Sequence, residues 1–181
     1  MNTINEFNYD MVKKYPVMVN LGRRRVGKSV LTKDQVYNYH VKRARTPFII
    51  LVSPTGVFNT DYDYLEPKYK FDAFTEPLLE GLLLRQRKLI ETEPKGDYDT
   101  LLILDDIVKS GNKRQIDLLS RLLTLSRHYR LSIILNIQYL KSSEFSPTMR
   151  DNVDYMFIFK QNNYDNKKNI VEQWLSLKKD S

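Results

Sequence analysis

Gly22-Arg23-Arg24-Arg25-Val26-Gly27-Lys28-Ser29 fits the spacing G-x-x-x-x-G-K-[ST] at every position. That spacing is suited to a polyphosphate. Gly22 and Gly27 let the backbone wrap closely enough for its N–H groups to point inward at a phosphate. Lys28 would reach the β- and γ-phosphates as a point charge, and the Ser29 hydroxyl would ligate Mg²⁺. A second set of candidates is Asp105-Asp106, which directly follows Thr100-Leu101-Leu102-Ile103-Leu104. Carboxylates at the end of a buried strand complement such a loop. Asp105 would hold Mg²⁺ through water and Ser29, and Asp106 would stand where a base or water-orienting group is needed. Asn136 and Gln138 close a further apolar run and alternate with Ile137, so they share a face.

These groups can cooperate only if the elements carrying them end at one place. Pro16-Val17-Met18-Val19-Asn20-Leu21 suits a buried strand, and a helix over residues 28–45 follows the loop. Its basic end, Val41-Lys42-Arg43-Ala44-Arg45, suits a helix C-terminus. Phe48-Ile49-Ile50-Leu51-Val52 reads as a second strand, whereas residues 59–70, rich in tyrosine and acid and without a period, read as a surface excursion. Leucines at helical spacing predict a helix over 76–91 and another from 116 to about 127, with the third strand, 100–104, between them. Residues 131–138 and 155–159 supply a fourth and a fifth strand, and 166–179 an amphipathic closing helix. Strands in near-continuous apolar runs, separated by helices, predict an α/β fold, a mainly parallel central sheet with helices on both faces. Ligands on such sheets sit at the C-terminal strand ends, where the loop, the aspartate pair and the amides all fall.

The 181 residues suit one domain, with 1–15 as a lead-in packed on its edge, 16–160 as the core and 161–181 as a C-terminal helix. The start, Met1-Asn2-Thr3-Ile4-Asn5-Glu6-Phe7, lacks the basic and apolar regions of a signal peptide, and no apolar run reaches the length of a membrane span. With no cysteine there is neither a disulfide nor a cysteine zinc site, and His40 and His128 alone do not make a metal cluster. A net charge of +7 favours a polyanionic partner.

With these motifs in this order, the chain resembles the FtsK–HerA branch of P-loop ATPases. More narrowly, it is similar to the genome-packaging ATPases of poxviruses, large DNA viruses of eukaryotes and their virophages. The resemblance covers about residues 16–160. It is carried by the loop (Walker A), by Ile50-Leu51-Val52-Ser53-Pro54-Thr55, by Leu102-Ile103-Leu104-Asp105-Asp106 (Walker B), and by Ser126-Arg127-His128-Tyr129-Arg130-Leu131-Ser132-Ile133-Ile134 leading to Gln138. It implies a RecA-like (ASCE) P-loop NTPase that takes ATP on Gly22, Arg23, Arg24, Arg25, Val26, Gly27, Lys28 and Ser29, with Mg²⁺ on Ser29 and Asp105. Gln138 would be the sensor that polarises the attacking water or contacts the γ-phosphate, a position that Asn136 suits equally. Arg127 would be a finger completing a neighbour's site, a role open also to Arg130 or Arg150. Many relatives carry aspartate-glutamate where this chain has Asp105-Asp106, and small residues where it has Arg23-Arg24-Arg25.

The resemblance further implies an ATPase that packages double-stranded DNA as a homo-oligomeric ring, a hexamer or pentamer, with capsid or portal proteins as partners. Such a protein would work in the virion or in the host-cell cytoplasm and virus factory. Lys109, Lys113 and Arg114, just after the aspartate pair, are the candidate DNA contacts. The competing functions are a cellular motor of the same branch in repair or conjugation, and a small-molecule kinase.

Overall fold

The apolar runs of the sequence become adjacent parallel strands. A computed structural model describes residues 6–41, 48–56, 60–96, 98–107, 112–139 and 145–174. Six strands, β1 (Val17–Leu21), β2 (Phe48–Val52), β3 (Lys70–Phe71), β4 (Thr100–Asp105), β5 (Leu131–Ile137) and β6 (Tyr155–Ile158), form one sheet in the order β3-β2-β4-β5-β1-β6. Every pairing is parallel. Among the described residues five α-helices accompany them: α1 (Lys28–Gln35), α2 (Glu76–Thr92), α3 (Lys113–Leu125), α4 (Pro147–Asp151) and α5 (Tyr164–Gln173).

Period-two alternation divides the strand residues between two cores. Val17, Val19, Leu21, Leu102, Leu104, Ile133 and Leu135 face α2 and α3, meeting Leu79, Leu82, Leu83, Leu119, Leu122 and Leu123. Met18, Leu51, Leu101, Ile103 and Ile134 face the other way and pack with Val12, Val36, Tyr39, Tyr62 and Leu65. Polar residues on this second face mark the site. The register sets Asp105 of β4 beside Asn136 of β5, and Asn136 beside Asn20 of β1, so three polar side chains stand in a row across adjacent strands.

Four expectations need correction. The helix expected over 28–45 is α-helical only to Gln35 and continues as a π-helical turn, Val36–Val41. Asn38 Nδ2 takes the Asp34 carbonyl at 3.2 Å, the acceptor that its own N–H would use in a continuing α-helix. Residues 42–47, with the basic end, lie outside the described residues. The expected surface excursion instead contains two 3₁₀ turns, Thr60–Tyr62 and Pro67–Tyr69, and strand β3, and it buries Tyr62 completely. The strand expected to include Gln138 ends at Ile137. α5 begins at Tyr164, before the expected start at 166. Before β1, Phe7 makes edge-to-face contacts with Tyr155 and Phe157 of β6, and the Tyr9 hydroxyl donates to Asp34 at 2.8 Å.

Candidate nucleotide site

The loop between β1 and α1 turns as tightly as its glycines permit. Gly27 sits at φ 100°, in the left-handed region, and Arg25 joins it there at φ 62°. Gly22 serves close approach: a Cβ there would lie 2.8 Å from Phe159 Cβ and 2.8 Å from Val26 Cγ2. Its N–H donates to the Ile137 carbonyl at 3.0 Å, which ties the loop to the end of β5. Lys28 Nζ bridges the carbonyls of Gly22 and Arg23 at 2.5 and 2.9 Å, along the loop's inner side. Burial lowers the Lys28 pKa, while Asp105 and Asp106 pull it up.

Behind the loop lies a buried polar network. Asn20 and Gln35 exchange amide hydrogen bonds at 2.9 and 3.0 Å, and Asn20 Nδ2 also reaches Asn136 Oδ1 at 2.9 Å. Asn136 Nδ2 donates to Asp105 Oδ1 and Thr32 Oγ1, both at 3.1 Å, and the Tyr62 hydroxyl lies 3.3 Å from the same nitrogen. Burial raises the Asp105 pKa, hydrogen bonds from Asn136 and Tyr62 lower it, Asp106 raises it and Lys28 lowers it. Burial is the largest of these causes.

Asp106 is held differently. Its backbone lies in the left-handed region at φ 56°, a conformation that aspartate tolerates better than most residues. Gln138 Nε2 donates to its Oδ1 at 2.6 Å, and Arg24 Nη2 stands 3.5 Å from its Oδ2. Lys28, Ser29, Asp105, Asp106, Gln138 and Thr55 line one cleft of about 460 Å³ with Arg24, Arg25 and Asp61. Asp105 and Ser29 present hard oxygen donors to this space. Two such ligands would suit Mg²⁺, a hard cation commonly held by only one or two protein oxygens. Among the described residues no group of three or more His, Cys, Asp or Glu could hold a metal on its own.

The structure thus gathers the loop, Asp105, Asp106 and Gln138 at the C-terminal strand ends. It separates the two amides: Asn136 is buried beneath the site, and Gln138 lines the cleft. Arg127 lies at the opposite edge of the sheet, before β5, with Nη2 2.8 Å from Asp154 Oδ1. The length of β5, about 20 Å at strand rise, separates it from this subunit's cleft. Lys109 falls outside the described residues. Lys113 opens α3 at the surface, and Arg114 pairs with Glu76 at 3.0 Å. Four network members, Asn20, Thr32, Gln35 and Tyr62, escape the motif reading. Asn20 carried a signal, since it interrupts an apolar strand two residues before the loop. Tyr62 carried none, because it is one of several tyrosines in a segment without periodicity.

The family model described as Poxvirus A32 protein matches residues 4–180. The chain is 30% identical over 172 residues to protein 075L of Invertebrate iridescent virus 6, covering 93% of this chain and 64% of that protein. It is 29% identical over 181 residues to protein L437 of Acanthamoeba polyphaga mimivirus, covering 95% of this chain and 62% of that one. The chain therefore spans less than two thirds of the length of these curated relatives. Among solved structures, the genome packaging NTPase B204 of Sulfolobus turreted icosahedral virus 2, in complex with ATPγS, superposes with a TM-score of 0.59 at 22% identity, over 89% of this chain and 82% of that one. The pCW3 conjugation coupling protein TcpA with ATPγS gives 0.62 at 15% identity, over 86% and 51%. At these identities the likeness is one of fold, and it is the RecA-like α/β fold expected from the motifs.

Proposed function

The chain belongs to the poxvirus A32 protein family, and from that premise we propose that it is an ATP-hydrolysing motor that translocates double-stranded DNA to package a viral genome. The observation that carries this reading is the meeting of Lys28, Ser29, Asp105, Asp106 and Gln138 around one cleft. Lys28 and the N-terminus of α1 bind the β- and γ-phosphates. The base leaves past Gly27 into a neighbouring apolar groove lined by Val26, Val30, Leu31 and Phe159. Ser29 and Asp105 would hold Mg²⁺, which would supply charge neutralisation for the transferring phosphoryl group. Asp106, fixed by Gln138, orients a water for in-line attack and takes its proton as the new P–O bond forms and the bond to the ADP oxygen breaks. Packaging as the task is supported by the family and by the likeness in fold to a genome packaging NTPase.

In this reading DNA is held through its phosphates by surface cations, Lys113 and Arg114 among them, without sequence preference. Arg127, about 20 Å from its own cleft, acts on the γ-phosphate of a neighbouring subunit in a homo-oligomeric ring. The test is ATP hydrolysis with and without double-stranded DNA at several protein concentrations, wild type against Lys28→Ala. Hydrolysis that responds to DNA, rises faster than protein concentration and is lost in Lys28→Ala is expected. Activity indifferent to DNA and linear in protein would overturn the motor and leave a P-loop enzyme of another kind.

A further inference from the structure

A second groove, of about 700 Å³, opens beside the phosphate cleft and shares Gly27 and Val30 with it. The two are continuous. Gly27 marks the passage, where a Cβ would stand 3.7 Å from Phe159 Cε1. One wall is α1, with Val30 and Leu31, and the other is the C-terminal end of β6, with Phe157, Ile158 and, just beyond it, Phe159. Val30 and Ile158 are exposed, apolar surface that a flat heterocycle would cover. Asp34 is the only ionisable group among the described residues lining the groove. It stands one helical turn beyond Val30, on the same face of α1. It also lies six positions after Lys28, about 9 Å at helical rise, which leaves room for an α-phosphate and a ribose between the phosphate loop and its carboxylate.

That carboxylate is held from two sides. The Tyr9 hydroxyl donates to Oδ2 and Asn38 Nδ2 to Oδ1, both at 2.8 Å. Burial and the Asp34 carboxylate raise the Tyr9 pKa, so the phenol stays a donor. Phe7 packs its ring 4.9 Å from that of Phe157, so the segment before β1 touches both walls of the groove. With one donor on each oxygen, the carboxylate keeps lone pairs for a further one.

We infer that Asp34 is the specificity-determining residue for the base, accepting from the exocyclic amino group of adenine in this groove. The inference rests on reading the neighbouring cleft as the phosphate site of ATP. A carboxylate can only accept. Hypoxanthine carries an oxo group where adenine has its amine, and that oxygen would face the carboxylate with no proton between them. The groove thereby prefers ATP to ITP, although their ribose and phosphates are identical.

The test is competition of ATP, ITP, GTP and inorganic tripolyphosphate against a ribose-labelled fluorescent ATP analogue, on wild type and Asp34→Asn. Wild type should bind ATP about tenfold more tightly than ITP, the worth of one hydrogen bond to a charged group. In Asp34→Asn the side-chain amide can donate to the oxo group as well as accept from the amine, so ATP and ITP should bind alike. Tripolyphosphate should bind both proteins equally, which also shows that the variant is folded. Wild type that takes ATP and ITP alike overturns the inference, as does a preference for ATP that survives in Asp34→Asn. A wild-type preference for GTP overturns it as well, since the carboxylate would then take the ring N–H and the amine of guanine. Tripolyphosphate binding lost in Asp34→Asn alone places Asp34 in the folding of the loop and not at the base, and counts equally against it. Wild type on which tripolyphosphate does not compete at all would instead overturn the reading of the cleft.

Discussion

Asp105 carries its charge where burial opposes it, and hydrogen bonds from Asn136 and Tyr62 offset that only in part, so its pKa in the folded protein is raised. The sign of the consequence is fixed by linkage. A raised carboxyl pKa favours folding below the unfolded value of about 3.9, and that contribution is lost as pH rises through the folded value. At neutral pH the ionised group works against folding. Asp105→Asn should therefore melt at a higher temperature than wild type at pH 7, and the difference should close below about pH 4. Calorimetry across that range checks it, and the same variant should lose Mg²⁺-dependent nucleotide binding. Asp106 separates binding from chemistry. Asn tolerates the left-handed backbone at φ 56° that Asp106 adopts. Asp106→Asn should keep nucleotide affinity and stability while hydrolysis falls by about 10²- to 10⁴-fold, the usual contribution of a positioned base. A loss confined to KM would contradict the role given to Asp106.

At the scale of elements, α1 is clamped to the sheet by amides as well as by apolar contact. Gln35, fully buried, is an α1 partner of Asn20, and its deletion takes from the buried Asn20 Oδ1 the Gln35 Nε2 donor at 3.0 Å. Gln35→Ala should cost about 1–3 kcal/mol in urea unfolding, the penalty for a buried polar group left unpaired. A loss below about 0.5 kcal/mol would mean that water replaces the amide. Elements whose apolar runs were strong, β1, β2, β4 and β5 with α2 and α3, are legible in the sequence, because burial on both faces of a parallel sheet requires such runs. The phosphate loop and the aspartate pair are legible too, since their chemistry restricts both residue type and spacing. Residues 60–71 are not. Their two turns and the two-residue β3 are held by contacts to β2 and to the face of the sheet that carries Met18, Leu51, Leu101 and Ile103, as in the seating of the Tyr62 ring, and no local period records contacts made at such a distance in the chain. The π-helical turn after α1 is likewise hidden, since no local period distinguishes it from a continuing α-helix.

At the scale of the molecule, the sheet has two working edges. The C-terminal strand ends hold the cleft, and the N-terminal ends are drawn together by Asp154, buried, which accepts from Val17 N at 3.0 Å, Lys13 Nζ at 3.2 Å and Arg127 Nη2 at 2.8 Å. This arrangement lets a structural role of Arg127 be told from a functional one. Removing Arg127 leaves Asp154 with two partners, so the stability lost should stay within about 1 kcal/mol, as for other half-exposed ion pairs. Asp154→Ala, by contrast, strips all three donors of their acceptor and should destabilise far more. A large loss of hydrolysis in Arg127→Ala at nearly wild-type stability would then point to chemistry in another subunit. The decisive form is a mixture. Lys28→Ala subunits keep Arg127 but have no working cleft, and Arg127→Ala subunits keep the cleft but lack the finger. Random co-assembly in a head-to-tail ring pairs an intact cleft with an intact Arg127 at roughly a quarter of interfaces. Equal mixing of two inactive variants should therefore restore about a quarter of wild-type hydrolysis. No restoration, from subunits that do co-assemble, would confine Arg127 to the Asp154 cluster and leave the finger to another arginine.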